Sequence, residues 1–259
     1  MRLPRLVGLV CLLVIAVLTI LGPSLSGFDP AKQNLRAILL PPGTDGHLLG
    51  TDNLGRDIAA RILGGAQITL SLAALAVASA AAFGVGLGML AGWRGGVTDR
   101  LLGALSDAVL ALPGLLLVLL LAAIRPDSWW TLYAGLALTL WVEFFRVSRA
   151  RTRVLTASPA VEAARLLGLG RWHVVRRHLW PDLSLQILTL AAFGAATVVT
   201  ALATLGFISV GLRPPTPEWG VMMAELLPSW REAPWAIAAP VVALAATVLS
   251  LRLAAGSEG

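Results

Sequence analysis

The 259 residues are 57% hydrophobic and 13% charged, with a net charge of +6. A soluble domain carries roughly 25% charged residues, so the chain holds about half the usual supply, and its long apolar runs exclude an ordinary soluble fold. Lys32 is the sole lysine, and the arginines gather beside apolar runs; that is the positive-inside pattern of a membrane protein and argues against nucleic-acid binding.

The first run, Leu6 to Leu21, follows Arg2 and Arg5 and precedes small residues. Such a pattern fits a cleaved signal peptide or an uncleaved first span. Its length and the spans that follow favour the uncleaved span. Cys11 lies in this run and is the sole cysteine, so no internal disulfide or cysteine-based metal site is possible. A bilayer crossing needs about 20 apolar residues in a helix. Six stretches meet this: 6–25, 68–92, 104–124, 130–148, 184–211 and 234–253. Backbone groups in lipid must be satisfied internally, so the stretches are expected to be helices. The fold class is therefore all-α, a polytopic membrane protein with about six transmembrane helices forming a single domain over 1–259. The third stretch is interrupted by Asp107 and Pro113. Gly84, Gly86 and Gly88 in the second permit close helix packing.

Between the first two spans lies a long outer segment, 26–67. It opens irregularly with Phe28-Asp29-Pro30 and Pro41-Pro42-Gly43. Asp52 is placed to cap a helix starting at Asn53, with Leu54, Ile58 and Ile62 on one face. Asp57 and Arg61 are four apart and positioned to pair. Gly64-Gly65 would end this helix. A short amphipathic helix at the outer surface is expected, serving packing or contact with an external partner.

The loop between the fourth and fifth stretches carries Arg146, Arg149, Arg151, Arg153, Arg165, Arg171, Arg176 and Arg177 against Glu162 and Asp182. The N-terminus carries Arg2 and Arg5, and the second-to-third loop Arg94 and Arg100. With six spans all three segments fall on one side, the cytoplasmic one, together with both termini. Trp93, Trp129, Trp130, Trp219, Trp230 and Trp235 sit near span ends, as interfacial anchors do.

Within the loop 149–181 the residues encode a helix, a glycine turn and a second helix. Ser158 suits an N-cap and Pro159 the first helical position. Glu162 matches the helix dipole. Ala163 and Ala164 give a narrow face that another surface can approach. Gly168 stops the helix, with Gly170 beyond. A second helix runs through Trp172, Val175 and Leu179 and is limited by Pro181. A plain solvated loop does not need cap, small face and glycine stop in this order, so the segment reads as a docking helix.

No G-x-x-x-x-G-K-[ST] loop exists, since Lys32 lies outside any such context; ATP hydrolysis by that route must reside on another subunit. His173 and His178 are a poor metal pair, His47 stands apart, and no triad surrounds the serines. The chain reads as no enzyme, with no metal site and no cofactor of its own. Glu143 lies in the fourth span with Arg146 three residues on, which fits local pairing, snorkelling or a pathway role.

Glu162-Ala163-Ala164, three residues, Gly168, then His178-Leu179-Trp180-Pro181 resembles the cytoplasmic signature of permease subunits of binding-protein-dependent ABC importers. Gly50-Thr51-Asp52-Asn53-Leu54-Gly55-Arg56-Asp57 resembles the dipeptide/oligopeptide/nickel branch. So do Asp99, Asp107 and Pro113, and Pro215-Thr216-Pro217-Glu218-Trp219-Gly220. The resemblance covers nearly the whole chain. One departure is the end, Leu251-Arg252-Leu253 followed by Ala254-Ala255-Gly256-Ser257-Glu258-Gly259, where the branch commonly continues with a Gly-Asp-x-Leu-Arg-type tail.

The resemblance implies a type I ABC importer permease fold in the bacterial cytoplasmic (inner) membrane. It implies a homologous second permease subunit and two ABC ATPase subunits that bind ATP and magnesium. It further implies a periplasmic or lipid-anchored solute-binding protein that delivers peptides, nickel or a metal chelate. Glu162, Ala163, Ala164, Arg165 and Gly168 would then couple to the ATPase. Gly50, Thr51, Asp52, Gly55, Arg56 and Asp57 form the outer motif. An ion-gradient-driven secondary transporter or channel is the competing expectation. It would show paired acids or broken helices at mid-membrane, and no such acid pair is evident.

Overall fold

A computed structural model describes residues 3–25 and 27–256. Arg2 and the tail Ser257-Glu258-Gly259 lie outside the described residues. The elements are α1 (Leu3–Leu25), α2 (Ile58–Arg94), α3 (Gly96–Leu110), α4 (Gly114–Ile124), α5 (Trp129–Thr156), α6 (Pro159–Leu166), α7 (Arg171–Val174), α8 (Trp180–Phe207), α9 (Trp219–Leu226) and α10 (Pro234–Ala255). No strand occurs among the described residues. Two isolated bridges, Thr44 with His47 and Thr51 with Asp57, pin the segment before α2.

Four continuous helical runs are long and apolar enough to cross a membrane: Leu3–Gly22, Ile58–Arg94, Arg171–Phe207 and Pro234–Ala255. The pair α3 and α4, bent by 77°, supplies a fifth if taken as one span. The bend falls at Pro113, which lacks the N–H needed to continue α3 and stands at the N-cap of α4. Asp107 does not interrupt α3; its carbonyl accepts from Ala111 N–H at 3.0 Å. The expected fourth span is α5, 28 residues long. Glu143, Arg146, Arg149, Arg151 and Arg153 on its second half keep it from being apolar throughout. Counting α5 and the bent pair once each restores six crossings.

The most extensive pairing in the molecule is α2 on α5, and glycines make it possible. A Cβ on Gly84 would lie 2.4 Å from the Trp141 carbonyl oxygen. One on Gly88 would lie 2.6 Å from that of Phe145, and one on Gly92 2.7 Å from that of Arg149. Glycine at every fourth position gives α2 a smooth face against the α5 backbone. Gly86, expected in this role, faces open space; Gly92 takes it instead. Leu72, Phe144, Phe145, Leu205 and Trp219 fill the core around this seam. On the far sides α10 packs on α1 and α8, and α9 is wedged between α8 and α10.

Two expected breaks are absent. Gly64-Gly65 does not end a helix, because α2 starts at Ile58 and runs through both. A Cβ on Gly65 would meet the Pro217 carbonyl at 2.2 Å and the Trp219 ring at 2.9 Å, so packing, not termination, needs glycine here. Pro181 does not limit a short loop helix either. A π-helical turn, Val175–Leu179, joins α7 to α8. It closes with Trp180 N–H donating to the Val175 carbonyl five residues back. Proline clashes with the carbonyl four residues before it, and widening the preceding turn relieves that clash without breaking the helix.

Candidate functional site

Ser158, Pro159 and Gly168 shape the hairpin that follows α5. Ser158 has extended backbone, and its carbonyl accepts from Val161 and Glu162 N–H, each at 3.1 Å. Its hydroxyl makes no cap bond; it donates back to the Leu155 carbonyl at 2.7 Å, tying the turn to α5. Pro159 then occupies the first helical position. Gly168 has φ +73°. There the Leu169 N–H donates to the Ala164 carbonyl and the Gly168 N–H to the Arg165 carbonyl, each at 3.0 Å. That crossed pair is a Schellman ending, which calls for a residue free to adopt positive φ.

The eight residues of α6 present two distinct faces. Val161 and Ala164 are buried with Val174, Leu179 and Leu183, and Met89, Trp93 and Leu155 close this small core. Ala164 is therefore turned inward and does not share an exposed face with Ala163. Glu162, Ala163 and Arg165 point outward. Leu166, Leu167 and Trp172 are 84%, 77% and 74% exposed at the tip. Clustered exposed apolar side chains mark an interaction surface. The two leucines were not singled out from sequence, since an amphipathic pattern cannot say which apolar residues lie past the last buried turn. Arg165 lies over the Trp93 ring, 5.3 Å from its centroid, so the end of α2 supports the hairpin from the side.

The arginines at the base of the hairpin are paired rather than merely solvated. Arg151 Nη2 donates to Asp182 Oδ1 at 2.7 Å, clamping α5 to α8. Asp99 at the start of α3 accepts from Arg149 Nε at 2.5 Å and Nη2 at 2.7 Å, and also from Arg153. Arg146 pairs with Asp107 at 3.0 Å, not with Glu143. These pairs tie the end of α5, from which α6 follows, to both α3 and α8.

The outer motif lies at the opposite end of α2 and is an internal anchor. Asp57, not Asp52, caps the helix: its carboxylate accepts from Ala60 N–H at 2.6 Å. It also receives His47 Nδ1 at 2.8 Å. The expected Asp57–Arg61 pair is not formed. Instead, Asp52 is fully buried and accepts from the backbone N–H groups of Leu54 and Arg56, from Arg56 Nε at 2.6 Å, and from Arg61. Both guanidiniums reach across to Glu225 of α9, Arg56 at 3.0 Å and Arg61 at 2.5 Å. Two cations and two anions close a nearly dry, neutral square. Residues 53–56 form turns rather than the expected surface helix, because the Asp52 carboxylate captures their N–H groups. Thr51 accepts from Leu40 N–H at 2.8 Å and donates to the Ala37 carbonyl at 2.5 Å. Gly50 and Gly55 have positive φ, and a Cβ on either would strike a carbonyl oxygen, of Leu40 at 2.2 Å or Asn34 at 1.9 Å. Each motif residue is thus used by the fold itself, leaving little of the motif to touch a partner. Glu225 was invisible to sequence reasoning, being 164 residues from Arg61.

Beside the square, Glu218 caps α9, accepting from Val221 N–H at 3.0 Å. Burial pushes its carboxyl up to about 7. Trp219, expected at an interface, is buried and donates to the Ile62 carbonyl at 3.1 Å.

Comparison with known proteins places these features in a group. Residues 84–256 match the family described as binding-protein-dependent transport system inner membrane component. Residues 5–42 match the N-terminal transmembrane domain of oligopeptide transport permease C. The chain is 33% identical over 253 residues to the dipeptide transport system permease protein DppC of Haemophilus influenzae, covering 96% of this chain and 86% of that protein. To DppC of Escherichia coli it is 34% identical over 252 residues, covering 95% and 84%. To the oligopeptide transport system permease protein OppC of Bacillus subtilis it is 29% identical over 248 residues, covering 96% and 81%.

Proposed function

The chain belongs to the family of binding-protein-dependent transport system inner membrane components, in its peptide branch, and we propose that it forms half of the pathway of an ATP-driven peptide importer. Its fold is that of a multi-pass ABC permease and not of an enzyme. The partners proposed are a homologous second permease subunit, two ATPase subunits that carry ATP and magnesium, and a solute-binding protein that presents the cargo. Peptide is the proposed cargo because the similar proteins are named for dipeptide and oligopeptide transport; no feature of the described residues favours nickel.

The α6 pole is proposed to face the cytoplasm. Its excess of arginine supports this. Arg5 and Gly256 approach each other closely, with 3.6 Å from the Arg5 side chain to the position of a Cβ on Gly256; this supports both termini lying on one side.

One observation carries the mechanism: α6 is seated on the membrane body by Val161 and Ala164 while Glu162, Ala163, Leu166 and Leu167 are exposed. In the proposed cycle, ATP binding closes the two ATPases and draws the seated helices with them, turning the cavity outward; hydrolysis resets it. Each nucleotide state favours one arrangement of the same two-state body. Replacing Gly168 with valine tests this. The residue sits at φ +73°, which a β-branched side chain strongly resists. Membrane insertion should persist while substrate-stimulated ATPase activity and uptake are lost together. Normal stimulation in that variant would refute the coupling role.

A further inference from the structure

Glu143 is the one acid on the apolar part of α5, and the structure gives it no ion-pair or hydrogen-bond partner among the described residues. Arg146, one turn on, is turned to Asp107. Glu143 is also exposed on the isolated chain. A carboxylate facing hydrocarbon is costly, so such a group faces water or a partner. The cavity beside it, though largely apolar, is roomy enough for water. Glu143 lines a cavity of about 290 Å³ at the point where α3 breaks into α4. Of the side chains around that cavity only Thr139, Glu143 and Thr197 are polar.

The polarity continues along α8. Thr197, Thr200 and Thr204 are all exposed and fall on one helical face by spacing. Their hydroxyl protons are already committed: Thr197 donates to the Phe193 carbonyl at 3.1 Å, and Thr200 and Thr204 donate to the Ala196 and Thr200 carbonyls at 2.8 Å each. Thr139 likewise donates to Leu136 at 2.9 Å. With the protons spent inward, the oxygen lone pairs are left as acceptors. A row of acceptors ending at an unpaired carboxylate suits a ligand that brings N–H donors and a positive charge.

We propose that Glu143, with Thr139 and Thr197, forms a hydrated site on the solute pathway that receives the α-ammonium group of the transported peptide, while the α8 threonines accept from its N–H groups. The ligand class rests on the peptide reading above; the hydration and charge preference of the site do not.

The test uses the assembled transporter in proteoliposomes, with Cys11→Ser removing this chain's sole native thiol, Ala201→Cys placing one in the cavity wall, and labelling read on this chain's own band. Labelling rates with cationic methanethiosulfonate ethylammonium and anionic methanethiosulfonate ethylsulfonate are each divided by their rates with a free thiol. The expected cation-to-anion ratio is at least about fivefold, from a single carboxylate at close range. It should fall to near one with Glu143→Gln and stay high with Glu143→Asp. Millimolar dipeptide with a free amino group should slow the labelling in the Glu143 form, whereas its N-acetyl analogue should not, and Glu143→Gln should abolish the difference. Co-purification with the partner subunits checks that each variant assembles. No labelling by either reagent, a ratio indifferent to Glu143→Gln, or equal protection by the two peptides would overturn the proposal. Failure of wild-type uptake with peptide-loaded binding protein, alongside a preserved labelling ratio, would instead overturn the peptide reading and leave a cation-attracting site.

Discussion

Replacing Asp52 with asparagine should be among the most damaging single changes outside the helix seams. Asp52 is 0% exposed and balances Arg56 and Arg61, which are 1% and 0% exposed. The substitution keeps shape and one acceptor oxygen, yet leaves two buried guanidiniums facing the single charge of Glu225. Breaking a buried pair by removing one partner costs about 3–5 kcal/mol, because the remaining charge is uncompensated. For a chain of this size each kcal/mol moves the midpoint by roughly 2–4 °C, so detergent-solubilised Asp52→Asn should unfold about 6–20 °C below the parent. Following the melting of the purified chain by tryptophan fluorescence suits the assay, since Trp219 is buried beside the square. The double variant Asp52→Asn with Glu225→Gln should be less damaged than the sum of the singles only if the four groups act as one network. A shift under about 2 °C for Asp52→Asn, or strict additivity, would refute a dry, coupled square.

Four further outcomes follow from the packing and the caps. Gly88→Val would drive a side chain into the Phe145 carbonyl, 2.6 Å from the Cβ position; overpacking of this kind costs about 1–3 kcal/mol or more, and a melting curve should show it, while the same change at Gly86 should be nearly silent. Ala164→Leu should lower stability by about 1–3 kcal/mol through the same crowding, whereas Ala163→Leu should leave stability intact and weaken ATPase docking in a co-purification assay. The folded-state value of about 7 for Glu218 lies above its ordinary 4.5, so the fold holds this proton more tightly than the unfolded chain. Stability from this group is full below about pH 4.5, falls by roughly 3 kcal/mol as pH rises to about 7, and is level above; melting across that window should show the decline, and Glu218→Gln should flatten it. Ser158→Ala should cost well under the 1 kcal/mol typical of a lost cap, because the Ser158 hydroxyl bonds back to Leu155 rather than capping α6.

Apolar runs and charge bias were enough to anticipate six crossings and the helix–glycine–helix hairpin, because both depend on local composition. Gly168 illustrates the best case: a left-handed ending is a property of one residue and its neighbours. The outer segment illustrates the opposite. Local pattern points to Asp52 as the cap and Asp57 as the partner of Arg61; the structure reverses these roles, because Arg61 is engaged by Asp52 and by Glu225 on α9. Glycines divide in the same way. Gly64, Gly65 and Gly86 look alike along the chain, but only contact with Pro217, Trp219 or the α5 backbone says which position needs an absent side chain. Ala164 and Ala163 are equally small, and only the pocket made by Val174, Leu179 and Leu183 turns one inward.

The π turn at Val175–Leu179 makes the last part of the hairpin and the following crossing one continuous rod, Arg171–Phe207, of 37 residues, or about 55 Å. It rests against α5 at Gly194, about two-thirds of the way from Arg171 to Phe207, where a Cβ would lie 3.1 Å from Leu140. Tilting the rod about this contact gives two unequal arms. At 1.5 Å per residue, a tilt of about 5° that moves Arg171 by about 3 Å swings Phe207 by about 2 Å the other way. Thr197, Thr200 and Thr204 lie on the short arm, so a tilt that moves the hairpin end one way sweeps the threonine row the other.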